Sequence, residues 1–413
     1  METHEQQLYT RYEGAPIILK PENISGDISQ GKLLIHFENA QEIEIPSSQY
    51  YDMVPATMEG LFEDLIPGSP LKEKLLEERE LFKAHGQEPN GYGVLVWYPH
   101  SKNLVRFMQQ FWHRTSLLVR NKTLYQDSEM KLSWQEVRER FEDAVVAIAG
   151  GSLGNNVAHA IAWDIRPRHI KIADFKEFHM ANCNRVRISY EDIGKNKAEI
   201  TARQLHGIDP FMDISVFSEG IHEENIEDFI TGNLNQGEPP ATVIIEEIDE
   251  IRIKFLIRQV ARKHGIPVVM ASDIGSATQL DVRRFDINPR LPLFGCGVPD
   301  EESLKALEVS QTTKKEEDFM KLFLDIVGPN CLQIPEFKQL MLNGLSQSQK
   351  DTPPVVKETP PLFKGLPQLG STALLSAALA TDAAARIVLG YRLPERTFFD
   401  KRNGTSITEG ELL

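Results

Sequence analysis

Ala144-Val145-Val146-Ala147-Ile148-Ala149-Gly150-Gly151-Ser152-Leu153-Gly154-Asn155 is the stretch that decides the fold. Its first half is a short apolar run without polar alternation, which reads as a strand buried on both faces. The small residues that follow make a tight turn into a helix over about 155–164. A second strand, Ile170-Lys171-Ile172-Ala173, ends at Asp174. This is a β-turn-α-β unit, the opening of a doubly wound parallel sheet. Further on, Thr242-Val243-Ile244-Ile245 reads as a strand, 250–264 as a helix and 265–270 as another strand. The expected fold class is α/β: a doubly wound, Rossmann-like, mainly parallel sheet with a small N-terminal α+β domain and a C-terminal helical extension.

Before this unit, Lys32-Leu33-Leu34-Ile35-His36-Phe37 mixes apolar and polar positions as short strands do. Ser69-Pro70 opens a helical pattern that closes at Gly86, with a cap, a proline in the first turn and a glycine past the end. Gly93 to Tyr98 reads as a strand stopped by Pro99. Met130, Leu132, Trp134, Val137 and Phe141 have helical spacing. Ser346 to Pro361 is a polar, proline-rich loop, and a helix follows over about 371–389, closed by Gly390. The expected division is 1–115, an N-terminal α+β domain; 116–345, the nucleotide-binding domain; 346–361, the loop; and 362–413, a helix and tail packing on that domain.

The chain has 413 residues, with 41% hydrophobic and 25% charged. It is long enough for a large core without disulfide or metal staples. Its 45 basic and 60 acidic side chains give a net charge of -15, and no Lys/Arg block supplies a face for duplex phosphates, so nucleic acid is not an expected partner. Cys183, Cys296 and Cys331 lie far apart, which suits a reducing compartment and no zinc knuckle. The N-terminus carries no basic-apolar leader. Asp382 and Arg386 sit one turn apart in the most apolar stretch, as in an amphipathic helix rather than a membrane span. A soluble, cytoplasmic protein is expected.

The turn Gly150-Gly151-Ser152-Leu153-Gly154 lets backbone N–H groups approach phosphate oxygens, and the helix after it adds partial positive charge. Asp174, twenty positions after Gly154, stands where a carboxylate accepts ribose hydroxyls. Taken alone, this pair suits a dinucleotide enzyme. Basic residues then crowd the mouth of the crevice, in Ala181-Asn182-Cys183-Asn184-Arg185 and Asp192-Ile193-Gly194-Lys195-Asn196-Lys197-Ala198. Such groups suit an enzyme acting at the α-phosphate of ATP, where negative charge builds in the transition state.

With Glu246-Glu247-Ile248-Asp249 further on, these motifs resemble, in order, those of the ThiF-type adenylyltransferase family. That module is shared by ubiquitin-activating enzymes and the activators of sulfur-carrier proteins. The resemblance covers about 120–290 and implies roles. Asp174 would bind ribose, Asn182 and Arg185 phosphates, and Lys197 the α-phosphate and leaving pyrophosphate. Asp249 would hold magnesium, and Gly150, Gly151, Ser152 and Gly154 would cradle ATP. In the family an arginine from an N-terminal helix reaches across a homodimer to the γ-phosphate, and Arg120 is the candidate. The activity implied is adenylation of a carboxylate, from a small acid or the C-terminus of a peptide or carrier protein, with release of pyrophosphate. A bacterial subgroup with an N-terminal extension, some of whose members are fused to nitroreductase-like domains, is also similar; it suggests a nitroreductase-like partner.

The chain departs from the family pattern at Ala149, Ser152, Val186 and Lys254. Lys254, Arg252 and Arg258 compete for the place of an arginine after Asp249. The plainer readings are Lys197 as a solvated helix lysine, Arg185 as a partner of Asp192, Asp249 as a helix cap, Cys183 as packing, and Cys296 as a buried cysteine rather than an acyl acceptor. Two other functions use the same turn: a dinucleotide-dependent oxidoreductase, and a non-catalytic nucleotide-binding scaffold.

Overall fold

The computed structural model describes residues 10–11, 14–27, 32–37, 41–88, 90–118, 131–233, 237–295, 299–313, 322, 324, 326–328, 330–331 and 368–413. Arg120, Cys296 and the proline-rich 346–361 lie outside the described residues.

After β1 (Thr10–Arg11), the N-terminal part holds β2 (Ile17–Ile18), β3 (Ile24–Asp27), β4 (Lys32–His36), β5 (Glu42–Pro46) and β6 (Tyr50–Asp52). Helices α1 (Val54–Asp64) and α2 (Pro70–His85) follow, then β7 (Val94–Tyr98), β8 (Asn103–Phe107) and α3 (Gln110–Leu118). One sheet runs β3-β4-β5 and a second β2-β7-β8-β6. The alternation read in β4 places Leu33 and Ile35 inward, against Ile45, Leu95, Trp97 and Leu104. The start signal of α2 is realised: the Ser69 hydroxyl accepts from the Lys72 N–H at 3.3 Å.

The rest is built on one large sheet. Its elements are α4 (Trp134–Asp143), β9 (Val145–Ala149), α5 (Leu153–Asp164), β10 (His169–Ala173), α6 (Lys197–His206), β11 (Asp213–Phe217), α7 (Ile226–Thr231), β12 (Val243–Glu246), α8 (Ile251–His264), β13 (Val268–Ile274), β14 (Ala277–Arg283), α9 (Asp300–Thr313), α10 (Gly370–Leu389), β15 (Pro394–Asp400) and β16 (Thr405–Leu412). The strand order is β1-β11-β10-β9-β12-β13-β14-β15-β16. The five strands from β11 to β13 are mutually parallel. Their order reverses between β9 and β12, which is where open α/β sheets place ligands. Every residue of β9 and β12 is buried, as a continuous apolar run requires of strands covered on both faces.

Among the described residues, α10 is the one helix long and apolar enough to cross a membrane; it is mostly buried. Ala377, Ala380, Ala383 and Ala384 belong to the main core, their small side chains suiting close approach to α5, β13 and β14. Arg386 Nε meets Asp382 Oδ2 at 2.8 Å on the outer face.

The tail holds two strands that the sequence reading does not assign: after the last helix, β15 and β16 extend the sheet antiparallel from β14. Hydropathy hides β15 because its buried positions include Glu395 and Arg396. Both are satisfied by β14, Glu395 by Arg283 at 2.7 Å and Arg396 by Asp281 at 2.9 Å.

The N-terminal part is joined to the large sheet by specific contacts. Tyr98 donates its hydroxyl to the His206 carbonyl at 3.2 Å, and Arg114 Nε reaches the buried Asp209 at 3.1 Å.

Candidate functional site

Gly150 turns the chain out of β9 at φ +102°, and a Cβ there would lie 2.4 Å from the Glu247 carbonyl oxygen. Only glycine satisfies both conditions. At Gly154 a Cβ would come within 2.9 Å of Ile148 Cγ2, so α5 presses directly on β9. Ala149, where the family favours glycine, is the buried last residue of β9 and leaves this turn intact.

Asp174 closes β10. Its Oδ2 accepts the Gly151 N–H at 2.6 Å and its Oδ1 the Lys176 N–H at 2.7 Å, so both carboxylate oxygens are oriented by backbone. The chain then makes an excursion that returns at Asn196. The Asn196 amide donates to the carbonyls of Asp174 and Ser218 at 3.0 and 3.1 Å. Its Oδ1 accepts the N–H groups of Ala198 and Glu199 at 2.9 and 3.2 Å, capping α6.

Lys197 is the first residue of α6 and is 6% exposed. Its Nζ donates to Ser152 Oγ at 3.3 Å. Burial pushes its pKa below the usual lysine value; Asp174 and Asp249 pull it back up, while Lys176 and Arg185 push it down.

Asp192 is pinned by the Ser189 N–H at 2.9 Å and by an ion pair with Arg203. It is therefore not a partner of Arg185. Arg185 Nη1 donates to the Ala181 carbonyl and to Asn184 Oδ1 at 3.0 and 2.8 Å, while the Arg185 carbonyl accepts from Asn156 of α5 at 2.6 Å. Asn182 is buried; its Oδ1 accepts the His179 N–H at 2.9 Å and shapes the short helical turn there. Cys183 is exposed rather than packed.

After β12, the four residues of Glu246-Glu247-Ile248-Asp249 diverge. Glu246 is fully buried between Lys254 at 2.6 Å and Arg258 at 3.2 Å. Glu247 accepts the Ala271 N–H at 2.9 Å, and burial pushes its carboxyl pKa well up. Asp249 has a side chain 94% exposed, with Lys176 Nζ at 3.8 Å. The cap position of α8 belongs to Glu250. Of the three candidate cations after Asp249, Arg252 pairs with Glu223 at the surface and Arg258 is committed to Glu246. Lys254 alone of the three lines the crevice.

Two chambers result. The smaller, about 90 Å³, is lined by Gly150, Asp174, Phe175, Lys197 and Ile221. The larger, about 260 Å³, is lined by Arg185, Lys254, Asp273 and Gln368 over an apolar floor that includes Met270 and Ile274. Ser152, Glu247, Ile248 and Asp249 belong to both. The crevice lies beyond the carboxyl ends of the parallel strands, at the β9/β12 reversal. It gathers Ser152, Asp174, Arg185, Lys197 and Asp249 from five separate points of the sequence.

Sequence reasoning missed Asp273, which lies near the end of β13, beyond the stretch expected as strand. Gln368 belongs to the run 367–372 before the last helix, which resembles that of the bacterial subgroup, but the sequence alone assigns it no place at the site. Burial raises the Asp273 pKa from 3.8 to about 6.

Comparison with known proteins places this geometry. The chain is 29% identical over 303 residues to an uncharacterized protein of Mycobacterium tuberculosis, covering 72% of this chain and 36% of that protein. It is 23% identical over 159 residues to the tRNA threonylcarbamoyladenosine dehydratase of Escherichia coli, covering 38% and 56%. It is 21% identical over 200 residues to the SAMP-activating enzyme E1 of Haloferax volcanii, covering 48% and 67%. The chain thus spans about a third and about half the length of the first two relatives. The sequence model of the ThiF family matches residues 126–410, from just before α4 into β16. With the glycine turn, Asp174 and Lys197 all inside that match and facing one crevice, the chain belongs to the ThiF family.

Proposed function

We propose that the crevice binds ATP and that a carboxylate attacks its α-phosphorus, forming an acyl-adenylate and releasing pyrophosphate. The observation that carries this reading is Lys197. Its ammonium is withdrawn from water and has no ion-pair partner among the described residues. It sits against the hydroxyl of the phosphate turn, in one chamber with Asp174. A buried cation is costly unless an anion meets it. The triphosphate supplies that anion, and charge developing in the transition state supplies more.

In this reading the turn from Gly150 to Gly154 and the N-terminus of α5 cradle the phosphates, and the backbone-oriented carboxylate of Asp174 takes the ribose. Arg185, lining the neighbouring chamber, faces the α-phosphate from the side on which the acid enters. Asn182 acts on the phosphates through the turn it shapes. The name of the Haloferax relative, an activating enzyme, is in keeping with this chemistry.

The residues fit a magnesium ion delivered with ATP. Asp249 is an exposed carboxylate on the wall common to both chambers, and magnesium is usually held by one or two carboxylates plus substrate phosphates. Bound there, the ion would neutralise phosphate charge. The wider proposal includes a homodimer in which Arg120 serves the partner's site. Mixing Arg120→Ala and Lys197→Ala subunits then restores activity that neither has alone.

The test is exchange of labelled pyrophosphate into ATP in the presence of candidate acids, alongside thermal shifts with ATP-magnesium and with NAD(H). Acid-dependent exchange that Lys197→Ala abolishes is expected. Stabilisation by NAD(H) and none by ATP would overturn the reading in favour of an oxidoreductase. ATP binding with no exchange for any acid would favour a scaffold.

A further inference from the structure

Asp273 is half-buried in the wall of the larger chamber. Its side-chain partner among the described residues is the Gln368 amide, Nε2 to Oδ1 at 3.5 Å, a long contact. No ion pair with a described residue neutralises it. Lys254 and Arg258 are committed to Glu246. Arg185 is felt at Asp273 through space but forms no ion pair with it, its Nη1 donating to the Ala181 carbonyl and Asn184 Oδ1. Glu247 and Asp249 share the chamber, so the wall is acidic. A half-buried carboxylate without a counter-charge costs stability unless a ligand supplies one.

Gln368 is placed with care. Its carbonyl accepts from Asn184 Nδ2 at 3.2 Å, and its backbone bridges to Gly275. Two residues on, a Cβ at Gly370 would lie 2.4 Å from the Asn184 carbonyl oxygen. The Thr372 hydroxyl then donates to the Gly275 carbonyl at 2.9 Å. The run Gln368-Leu369-Gly370-Ser371-Thr372 thus docks between the Arg185 loop and the β13–β14 turn, and brings one amide side chain to Asp273.

We infer that Asp273 and Gln368 form a recognition end for the acid, and that the acid activated here carries a protonated amine. The ammonium docks between the Asp273 carboxylate and the Gln368 side-chain oxygen, while the acid's own carboxylate points toward Arg185 and the neighbouring chamber. A neutral or doubly acidic substrate leaves Asp273 desolvated and unpaired, which discriminates against it. The chamber, about 260 Å³, is below the roughly 300–1,000 Å³ typical of drug-sized ligands, so the acyl end is the size of an amino acid. This inference rests on the adenylation reading only for the fate of the carboxylate.

The test pairs binding with turnover. The standard amino acids and 4-aminobutanoate are each compared with their N-acetylated forms, by calorimetric binding and by pyrophosphate exchange. The full-length chain is used as wild type, Asp273→Asn and Gln368→Glu. In the wild type, at least one amine-bearing acid is expected to bind about 10-fold or more tighter than its acetylated form, the scale of a hydrogen-bonded charge. Asp273→Asn should collapse that ratio. Gln368→Glu, which adds a second carboxylate, should raise it, a direction that misfolding cannot imitate. Equal binding of both forms by the wild type, no binding of any amine-bearing acid, or a ratio indifferent to both variants overturns the inference. Amine-selective binding that depends on Asp273 but gives no exchange keeps it and sinks adenylation. Exchange with acetylated acids as good as with amines does the reverse.

Discussion

Asn196 binds the Asp174 carbonyl with its side-chain amide at 3.0 Å while its oxygen caps the helix that Lys197 begins. One side chain therefore ties the proposed ribose carboxylate to the proposed phosphate lysine. Asn196→Ala loses both functions. Loss of the cap costs about 1 kcal/mol, and Lys197 is no longer held against Ser152. Asn196→Asp keeps the cap and loses only the two amide donations. Melting curves are expected to show a clear drop for the alanine variant and a smaller one for aspartate. Exchange should fall in both, mainly through kcat. An aspartate variant with wild-type kcat would show that the tie to Asp174 does not position Lys197.

Gly150 and Gly194 both have positive φ, +102° and +78°, yet they differ in surroundings. A Cβ at Gly150 strikes the Glu247 carbonyl, whereas nothing lies within 4 Å of one at Gly194. Gly194→Ala is expected to cost about 1 kcal/mol of backbone strain. Gly150→Ala must also displace the strand end that leads to Asp249, and should lose ATP binding along with stability. Comparison of melting temperatures and ATP-magnesium shifts for the two variants separates strain alone from loss of the turn.

His113 and His206 make the junction between α3 and the large sheet sensitive to acid. Burial pushes both pKa values from 6.5 to about 4. Asp209 opposes this at both sites, helped by Asp213 at His206, while Arg166 and Arg114 reinforce it at His113. The unfolded chain protonates near 6.5 and the folded one near 4. Between those values the unfolded state holds more protons, so the histidines' contribution is whole above pH 6.5 and is lost as pH falls toward 4. Asp273 has the opposite sign: with its pKa raised from 3.8 to about 6, its contribution is whole below 3.8 and lost as pH rises through 6. Glu247, whose carboxyl pKa burial also pushes well up, acts in the same sense as Asp273, so the histidines' share is read from variants. Between pH 7 and pH 5, His113→Gln combined with His206→Gln is expected to shift the change in melting temperature upward relative to wild type, because the acid-linked loss at these two sites is removed. An identical pH dependence in wild type and double variant would refute the assignment.

The parts of this molecule that were legible in the sequence share one property: their signal is local. The apolar run of β9, the turn after it and Asp174 just past β10 follow from periodicity, small residues and spacing, and Lys197 stands out as a basic group in a motif that resembles the family's. Arg185 was legible as a basic group at the crevice, although not its separation from Asp192, because Arg203 of α6 claims that carboxylate across the fold. Asp273 was not legible, and although the run that holds Gln368 stands out, its meeting with Asp273 does not, since that depends on a helix and strand pair far along the chain. β15 escaped for a related reason. Its inward side chains include Glu395 and Arg396, charges that look solvent-exposed until Arg283 and Asp281 are placed opposite them.

Glu246 shows how far the acidic motif after β12 is structural. Its carboxylate is fully buried and meets Lys254 Nζ at 2.6 Å and Arg258 Nη2 at 3.2 Å. Arg258, also fully buried, has a further contact to the Leu293 carbonyl at 2.8 Å. Glu246→Gln removes the charge that both cations face. Arg258 cannot turn to water, and breaking a buried pair from one side typically costs about 3–5 kcal/mol. Lys254 is nearer the chamber wall and can swing toward it, adding positive charge beside Asp273. Glu246→Gln is therefore expected to melt well below wild type, and Asp249→Asn, altering an exposed carboxylate, to melt close to it. In exchange assays the order reverses in kind. Asp249→Asn should raise the magnesium concentration needed for half-maximal rate, while folded Glu246→Gln should not. Equal melting temperatures for the two variants would mean that Glu246 does not hold Arg258 in the core.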